Sequence, residues 1–453
     1  MPIVESKKPG EVSWDQRLRR GAGRSKPTLN PEYQELKFTL HRKLLDKINL
    51  EALASIDNQK LRNEVRSALM SLLDGEQTLL SSIERQQISE EVLDEVFGLG
   101  PIEPLLQDPT ISDILVNTHK QVYVERKGQL ELTNVTFKDD GHLLRIIDKI
   151  VSQVGRRVDE SSPMVDARLS DGSRVNAIIP PLAVDGPLLS IRRFGTDKLM
   201  PADLVARGAM TQGMLELLEA AVKTRLNVII SGGTGSGKTT MLNALSAFIS
   251  PKERVVTIED AAELQLKQPH LARLETRPPN LEGEGAIRQR ELLVNSLRMR
   301  PDRIIIGECR GEEALDMLQA MNTGHDGSMT TVHANSPRDV ITRMEVMVTL
   351  ANGNLHLNAI RQQIAAAVDL IVQVARLSDG SRRVTSITEV TGMEVDVVTL
   401  QDLFVFEKRG VSPEGRALGR FAATGIRPKF YEKVRAAGIP LPPDLFESVV
   451  DVS

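Results

Sequence analysis

The amino-acid sequence predicts an α/β protein: a mostly parallel sheet with helices on both faces, preceded by a small α+β domain and an amino-terminal helical bundle. Three observations carry this reading. From about Ala202 onward, short apolar runs alternate with amphipathic stretches, the pattern of strands joined by crossover helices. Upstream, apolar spacing switches from a period near 3.6 to a period of 2 at about residue 110. Finally, a glycine-rich octapeptide, Gly232 to Thr239, joins an apolar strand to a helix.

Composition bounds the function classes. A chain of 453 residues has room for about three domains. Its 41% apolar and 26% charged residues exclude a fibrous or wholly disordered chain. No segment reaches the roughly 18 uninterrupted apolar residues of a spanning helix. The most apolar one, Asn176 to Ile191, is broken by Pro180, Pro181, Asp185 and Pro187. The opening MPIVESKKPG has no apolar core, so no secretory signal is expected. A single cysteine, Cys309, excludes an internal disulfide and a cysteine-rich zinc module, and fits a reducing cytosol. A formal charge of −4 and only 3% aromatic residues argue against nucleic acid as a partner.

Taken in order, residues 1 to 30 carry seven basic and three acidic side chains and read as a mobile basic arm, either a solvated tail or a docking segment. Residues 31 to 97 read as the bundle: Leu36, Leu40, Leu44, Leu45 and Ile48, then Ile56, Leu61, Val65, Leu69 and Leu72, fall at helical spacing, and a third helix is expected from Glu76 to Phe97. Residues 98 to 200 form the α+β domain. Strands are predicted at Asp113 to Asn117, Gln121 to Arg126, Leu130 to Phe137, Met164 to Leu169, Ser173 to Ile179 and Leu188 to Phe194, with a helix at Gly141 to Val154 and a linker at 195 to 201.

Residues 202 to 453 hold the parallel sheet. Helices are predicted at Gln212 to Val222, Lys238 to Ile249, Ala286 to Met299, Gly311 to Met321, Pro337 to Leu350 and Leu357 to Ala367. Strands are predicted at Asn227 to Ser231, Arg254 to Glu259, Arg303 to Gly307, Ser328 to His333 and Leu370 to Ala375. Arg382 to Met393 and Asp396 to Glu407 read as an antiparallel addition, and Ala417 to Ser453 as a tail with one or two short helices.

The strongest chemical signal is Gly232-Gly233-Thr234-Gly235-Ser236-Gly237-Lys238-Thr239, followed by Thr240. Glycines let the backbone approach phosphates, and amides at a helix start point at an anion. Lys238 is expected on the β and γ phosphates and Thr239 on Mg²⁺, which makes ATP with Mg²⁺ the expected ligand. Glu259 and Glu308 follow apolar strands, with Glu263 one helical step on, where metal and attacking water need carboxylates. Gly307 occupies the place where an Asp commonly precedes the catalytic Glu, so metal contact is indirect or falls to Glu259. His325 and His333 bracket one strand and are candidates to sense phosphate or position water. Arg168, Arg174, Arg192 and Arg193 of the smaller domain are candidates for stabilising charge on the transferring phosphoryl group.

Long segments then match a known family. GLGPIEPLL (98 to 106), VGRRVDESSPMVDARLSDGSRVNAIIPPLA (154 to 183), SIRRF (190 to 194), SGGTGSGKTT (231 to 240), VTIEDAAEL (256 to 264), LRMRPDRIIIGECRGEEALDMLQAMNTGHDGSMTTVHANSP (297 to 337) and RQQIAAAVDLIVQV (361 to 374) resemble the bacterial secretion and pilus motor ATPases, closely the CpaF type of the tight-adherence (Tad) pilus. The resemblance implies a RecA-like carboxy-terminal domain, a cytosolic homo-hexamer with ATP between the two domains, and an inner-membrane platform protein as partner for pilus extension or retraction. It gives VTIEDAAEL as the Asp box, IIIGE as the Walker B equivalent and GHDGSMTTVHANS as the His box. By position it implies Lys238 and Thr239 on phosphate and Mg²⁺, Glu308 with Glu259 on water, His325 and His333 as sensors, and the four arginines acting in cis or in trans. A traffic ATPase of a type IV secretion or conjugation system is the nearest alternative, and a nucleotide-gated scaffold with negligible hydrolysis is the rival from another class.

Overall fold

A computed structural model describes residues 31–47, 58–75, 80–126, 128–194, 199–279, 284–413 and 415–452. The basic arm at 1 to 30 and most of the linker expected at 195 to 201 lie outside them. The chain divides into two compact units, Met1–Phe194 and Gly195–Ser453.

The first unit opens with helices α1 (Pro31–Lys47), α2 (Asn58–Asp74) and α3 (Ser82–Phe97). Leu36, Leu40 and Leu44 of α1 meet Val65, Leu69 and Leu73 of α2 and Ile88, Val92 and Leu93 of α3, the i, i+4 spacing of helices that share one core. α3 begins at Ser82, not at Glu76 as the spacing predicts, because Ser81 caps it: its hydroxyl accepts from the Glu84 amide at 3.3 Å and its amide donates to Glu84 at 2.8 Å. A short helix α4 (Glu103–Gln107) leads into β1 (Ile111–Thr118), β2 (Gln121–Arg126) and β3 (Gln129–Leu132). The third strand is shorter than predicted, and Thr133 closes it by donating its hydroxyl to Val122 O at 2.8 Å. Helix α5 (Asp140–Gln153) and strands β4 (Met164–Arg168), β5 (Arg174–Ile178) and β6 (Leu188–Arg192) complete an antiparallel sheet of order β3-β2-β1-β6-β5-β4.

Buried polar contacts tie the bundle to α5. His142 Nε2 lies 2.9 Å from Glu95 Oε2, while within the bundle Lys37 Nζ, 3.1 Å from Glu91, links α1 to α3. Lys149 Nζ donates to Val96 O and Gly98 O at 3.0 and 2.6 Å, occupying carbonyls that the end of α3 leaves open.

The second unit runs α6 (Pro201–Ala206), α7 (Gln212–Lys223), β7 (Val228–Ser231), α8 (Lys238–Ser246), β8 (Val255–Glu259), β9 (Leu271–Glu275), α9 (Gln289–Ser296), β10 (Arg303–Ile306), α10 (Glu313–Asn322), β11 (Met329–Val332), α11 (Pro337–Ala351), α12 (Leu357–Ala367), β12 (Leu370–Arg376), β13 (Arg382–Glu394), β14 (Val397–Val411), β15 (Ala417–Ala423), α13 (Tyr431–Ala436) and β16 (Val449–Val452). One sheet results, of order β16-β15-β14-β13-β12-β7-β11-β10-β8-β9. From β12 to β9 it is parallel, and from β12 outward to β16 antiparallel. The α/β class expected from the sequence holds. Each central strand feeds both faces: Val228 and Ile230 enter one core with α7 and α8, and Ile229 the other with α10, α11 and α12.

Three strands depart from expectation. β9 is an edge strand with no fully buried residue, Arg273 and Glu275 being exposed, and it carries little strand pattern. β15 and β16 extend the antiparallel wing into the segment read as a tail, which also holds the short α13. α9 starts at Gln289 because Ile287 is already paired with Arg277 in an isolated bridge. Among the described residues no helix is long and apolar enough to cross a membrane.

Candidate functional site

The carboxyl ends of the parallel strands converge on one site, the crevice where open α/β sheets hold their ligands. β7 is buried throughout and stops at Ser231, and α8 starts at Lys238. Between them Gly235 and Gly237 take left-handed φ values of 70° and 99°, open to glycine at little cost. Gly232 is glycine for a second reason: a Cβ there would lie 2.2 Å from Val374 O. Ser236 Oγ donates to Gly233 O at 2.8 Å and braces the loop, while Thr239 and Thr240 sit half-buried on the first turn of α8. Thr234 is exposed on the loop crest.

Lys238 closes the loop mouth. Its Nζ donates to Gly232 O and Gly233 O, both at 3.0 Å, and lies 3.1 Å from His333 Nε2. Burial lowers the pKa of this ammonium, and the Glu308 carboxylate opposes that shift. His333 follows the end of β11, and its Nε2 is also 3.0 Å from Glu308 Oε1. Burial first, then the Lys238 charge, lowers the His333 pKa, so the ring is neutral at pH 7. One ring nitrogen serves one of these neighbours at a time. Accepting from Lys238, it leaves Glu308 Oε1 buried without a donor.

Arg310 holds the other Glu308 oxygen, donating from Nη2 to Oε2. That contact raises the guanidinium pKa, and Asp260 and Glu263 act on it in the same direction. Arg310 is fixed in turn through its own amide, which donates to Glu313 Oε1 at 2.6 Å. Arg310 and Glu313 were not predicted from sequence, although both lie within five residues of Glu308 on the loop that follows β10.

Glu259 explains the glycine at 307. β8 and β10 are parallel neighbours with Ile258 opposite Ile306, so Glu259 and Gly307 lie side by side. A Cβ on Gly307 would be 2.8 Å from Glu259 Cγ, and the Glu259 side chain therefore fills the place of the Asp absent from this strand. Its Oε2 accepts from the amides of Glu263 and Leu264 at 2.7 and 2.8 Å, while buried Oε1 has no partner. Burial pushes its pKa up to about 7 against those two bonds. Glu263 thus enters the site through its backbone amide.

The two histidines separate. His333 joins the cluster, whereas His325 lies before the amino end of β11, at the opposite edge of the sheet, where its carbonyl accepts from Ser328 Oγ at 2.7 Å. The four arginines separate as well. On the six-stranded sheet Arg168 faces Arg174 and Arg174 faces Arg192, one row across β4, β5 and β6 on the outer face. Arg192 Nε donates to Asp113 Oδ1 at 3.1 Å, and Arg168 and Arg174 have contacts of their own. Arg174 and Arg192 are exposed on this face and Arg168 is half-buried. Arg193 is not in the row: it donates to the carbonyls of Asp108 and Ile111 and anchors the loop before β1.

These residues fit a nucleotide with Mg²⁺. The loop supplies amides and an ammonium, and two buried carboxylate oxygens, Glu259 Oε1 and Glu308 Oε1, await a donor or a cation's water. Among the described residues no three His, Cys, Asp or Glu side chains converge to hold a metal by themselves.

The chain is similar to several known proteins. Residues 95–421 match the family described as Type II/IV secretion system protein. A putative conjugal transfer protein of Mycobacterium tuberculosis is 40% identical over 334 residues, covering 72% of this chain and 93% of its own. The conjugal transfer protein TrbB of Rhizobium radiobacter is 33% identical over 291 residues, 63% of this chain and 86% of its own. Among solved structures, the VirB11 ATPase of Brucella suis aligns at 29% identity over 63% of this chain and 91% of its own, with a TM-score of 0.35. With the family match spanning well over half of its residues, the chain belongs to the type II/IV secretion system protein family.

Proposed function

We propose that the chain is an ATP-hydrolysing motor that works as a cytosolic homo-hexamer on an inner-membrane platform and drives assembly, and in reverse retraction, of a tight-adherence pilus. One observation carries the hydrolytic part: Glu308 Oε1, buried and without a donor, beside Lys238 and His333 at the mouth of the phosphate loop. The polyphosphate takes the loop amides, and Lys238 Nζ moves from the carbonyls of Gly232 and Gly233 onto phosphate oxygens. Glu308 accepts a proton from the attacking water on Oε1, its carboxylate positioned by Arg310 on Oε2. Thr239, with Glu259 near it, would hold Mg²⁺, which would supply charge neutralisation on the phosphates. The row Arg168, Arg174 and Arg192 adds positive charge from the first unit of the same or a neighbouring subunit. Opening and closing of the two units against each other over this cycle would move the platform.

The reading is tested with purified full-length protein. ATP turnover should be abolished in Lys238→Ala, and light scattering with nucleotide should give a mass near six copies. Normal turnover in the variant, or a strictly monomeric mass, overturns it. A second reading, a traffic ATPase for conjugation or type IV secretion, is favoured by the conjugal-transfer names of the relatives above. Deleting the gene in its native host decides between the two: loss of pili with DNA transfer intact supports the pilus, and the reverse supports traffic. Turnover at the level of the Lys238→Ala variant would instead support a scaffold that binds ATP without hydrolysing it.

A further inference from the structure

The phosphate loop has basic neighbours that the sequence did not point to. β12 ends at Arg376 and β13 begins at Arg382, and the two are Cα partners across the hairpin. Directly opposed residues of antiparallel strands share a face. The face they share is the one against the loop. Arg376 Nη1 lies 3.8 Å from where a Cβ on Gly235 would be, and Arg382 Cδ lies 3.3 Å from where a Cβ on Gly237 would be. Arg382 Nε donates to Gly235 O at 2.9 Å.

The hairpin holds this arrangement in place. Leu377 N donates to Ser381 O at 2.8 Å, and Asp379 accepts from the amide and hydroxyl of Ser381 and from the Ala417 amide. Arg383, one residue on, turns to the opposite face, where it donates to Gly208 O and stacks its guanidinium 5.3 Å from the Phe406 ring centroid. Arg383 is taken up by the fold. Arg382 spends only Nε on the loop, and among the described residues its terminal nitrogens have no protein partner.

A phosphate loop turns amides inward and carbonyls outward. A guanidinium bonded to one of those carbonyls lies within about 8 Å of the enclosed anion, one Debye length at physiological salt, so its attraction reaches the anion and weakens as salt rises. We propose that Arg382, backed by Arg376, is a cis-acting cationic clamp on the polyphosphate of a nucleoside di- or triphosphate seated in the loop, a positioning contact supplied by the β12–β13 hairpin. It rests on the nucleotide reading above.

The test is isothermal titration of the full chain with MgATPγS, comparing wild type with Arg382→Ala, Arg382→Gln, Arg382→Lys and Arg376→Ala. Gln and Lys can each keep a hydrogen bond to Gly235 O, but only Lys keeps the charge. Expected are a Kd raised about tenfold in Arg382→Ala and Arg382→Gln, recovery of most of that in Arg382→Lys, a smaller rise in Arg376→Ala, and a flatter salt dependence of Kd without Arg382. Wild-type affinity in Arg382→Gln, or an unchanged salt dependence, overturns the clamp and leaves at most a brace for the loop. Should Arg382→Ala fail to fold, the contrast between Gln and Lys still decides. If wild type itself fails to bind MgATPγS while melting cooperatively, it is the nucleotide reading that falls.

Discussion

The two sheets carry charge in opposite ways. The ten-stranded sheet draws it inward around the phosphate loop, where Lys238 and Glu259 are buried, Glu308 is half-buried and two carboxylate oxygens stay unpartnered. The six-stranded sheet displays it on an outer face, where Arg168, Arg174 and Arg192 stand in register. Burying a charge is expensive and a small change of partner moves its pKa, whereas an exposed guanidinium keeps its charge at any physiological pH. The buried set therefore suits proton and water chemistry, and the exposed row suits an anion that arrives and leaves.

The sharpest break in this contrast comes from Glu308→Gln. The amide cannot take a proton from water, so kcat should fall about 10²- to 10⁴-fold, the range for loss of a positioned general base. The loop and Lys238 are untouched, so MgATP affinity should hold within a few-fold in an equilibrium titration. A fall in kcat of less than tenfold would move the water-activating role away from Glu308.

The exposed row answers on a smaller scale. Arg174 is its centre, opposite both Arg168 and Arg192. Arg174→Ala should lower turnover by roughly 10- to 100-fold, less than loss of a lone arginine finger because two neighbours remain. Its unfolding free energy should stay within about 0.5 kcal/mol of wild type, as for surface changes generally, since relief of repulsion offsets lost contacts. Unchanged turnover would remove the row from the chemistry, and a large loss of stability would make it structural.

These two regions were also legible to different degrees. The loop from Gly232 to Thr239 and the strand ends at Glu259 and Glu308 were readable because their chemistry is local, a motif between two periodic elements. The arginines were visible as residues but their grouping was not, since register across β4, β5 and β6 decides which share a face and sends Arg193 elsewhere. His325 and His333, equal in sequence, are parted because a parallel strand puts its two ends at opposite edges of the sheet. Arg382 bonds a loop carbonyl 147 residues away, a contact with no local signal. The edge strands β9 and β16 were missed because such strands form by pairing with what is already there, with little pattern of their own, and β15 was missed inside a segment punctuated by prolines.

The finest difference between the regions is their response to pH. Burial raises the Glu259 pKa to about 7, above the ordinary carboxylate value near 4.3. Between those values the folded chain keeps a proton that the unfolded chain has released, so the stability Glu259 contributes is complete below about pH 4 and is lost as pH rises through about 7. A glutamine has no charge to bury, and its carbonyl can accept from the Glu263 and Leu264 amides while its NH₂ takes the place of the unpartnered Oε1. Glu259→Gln should therefore melt with wild type at pH 5 and about 2–4 °C above it at pH 8, the shift that roughly 1 kcal/mol gives a domain of this size. Its turnover should be lower, and should lack the rise through pH 7 that ionisation of Glu259 gives wild type. Arg174→Ala changes no group that titrates there, so its pH profile should parallel wild type at reduced height. Equal melting of Glu259→Gln and wild type at pH 8 would mean that Glu259 is ionised and satisfied well below neutrality, and the contrast between a buried titrating site and an exposed fixed-charge row would then lose its buried half.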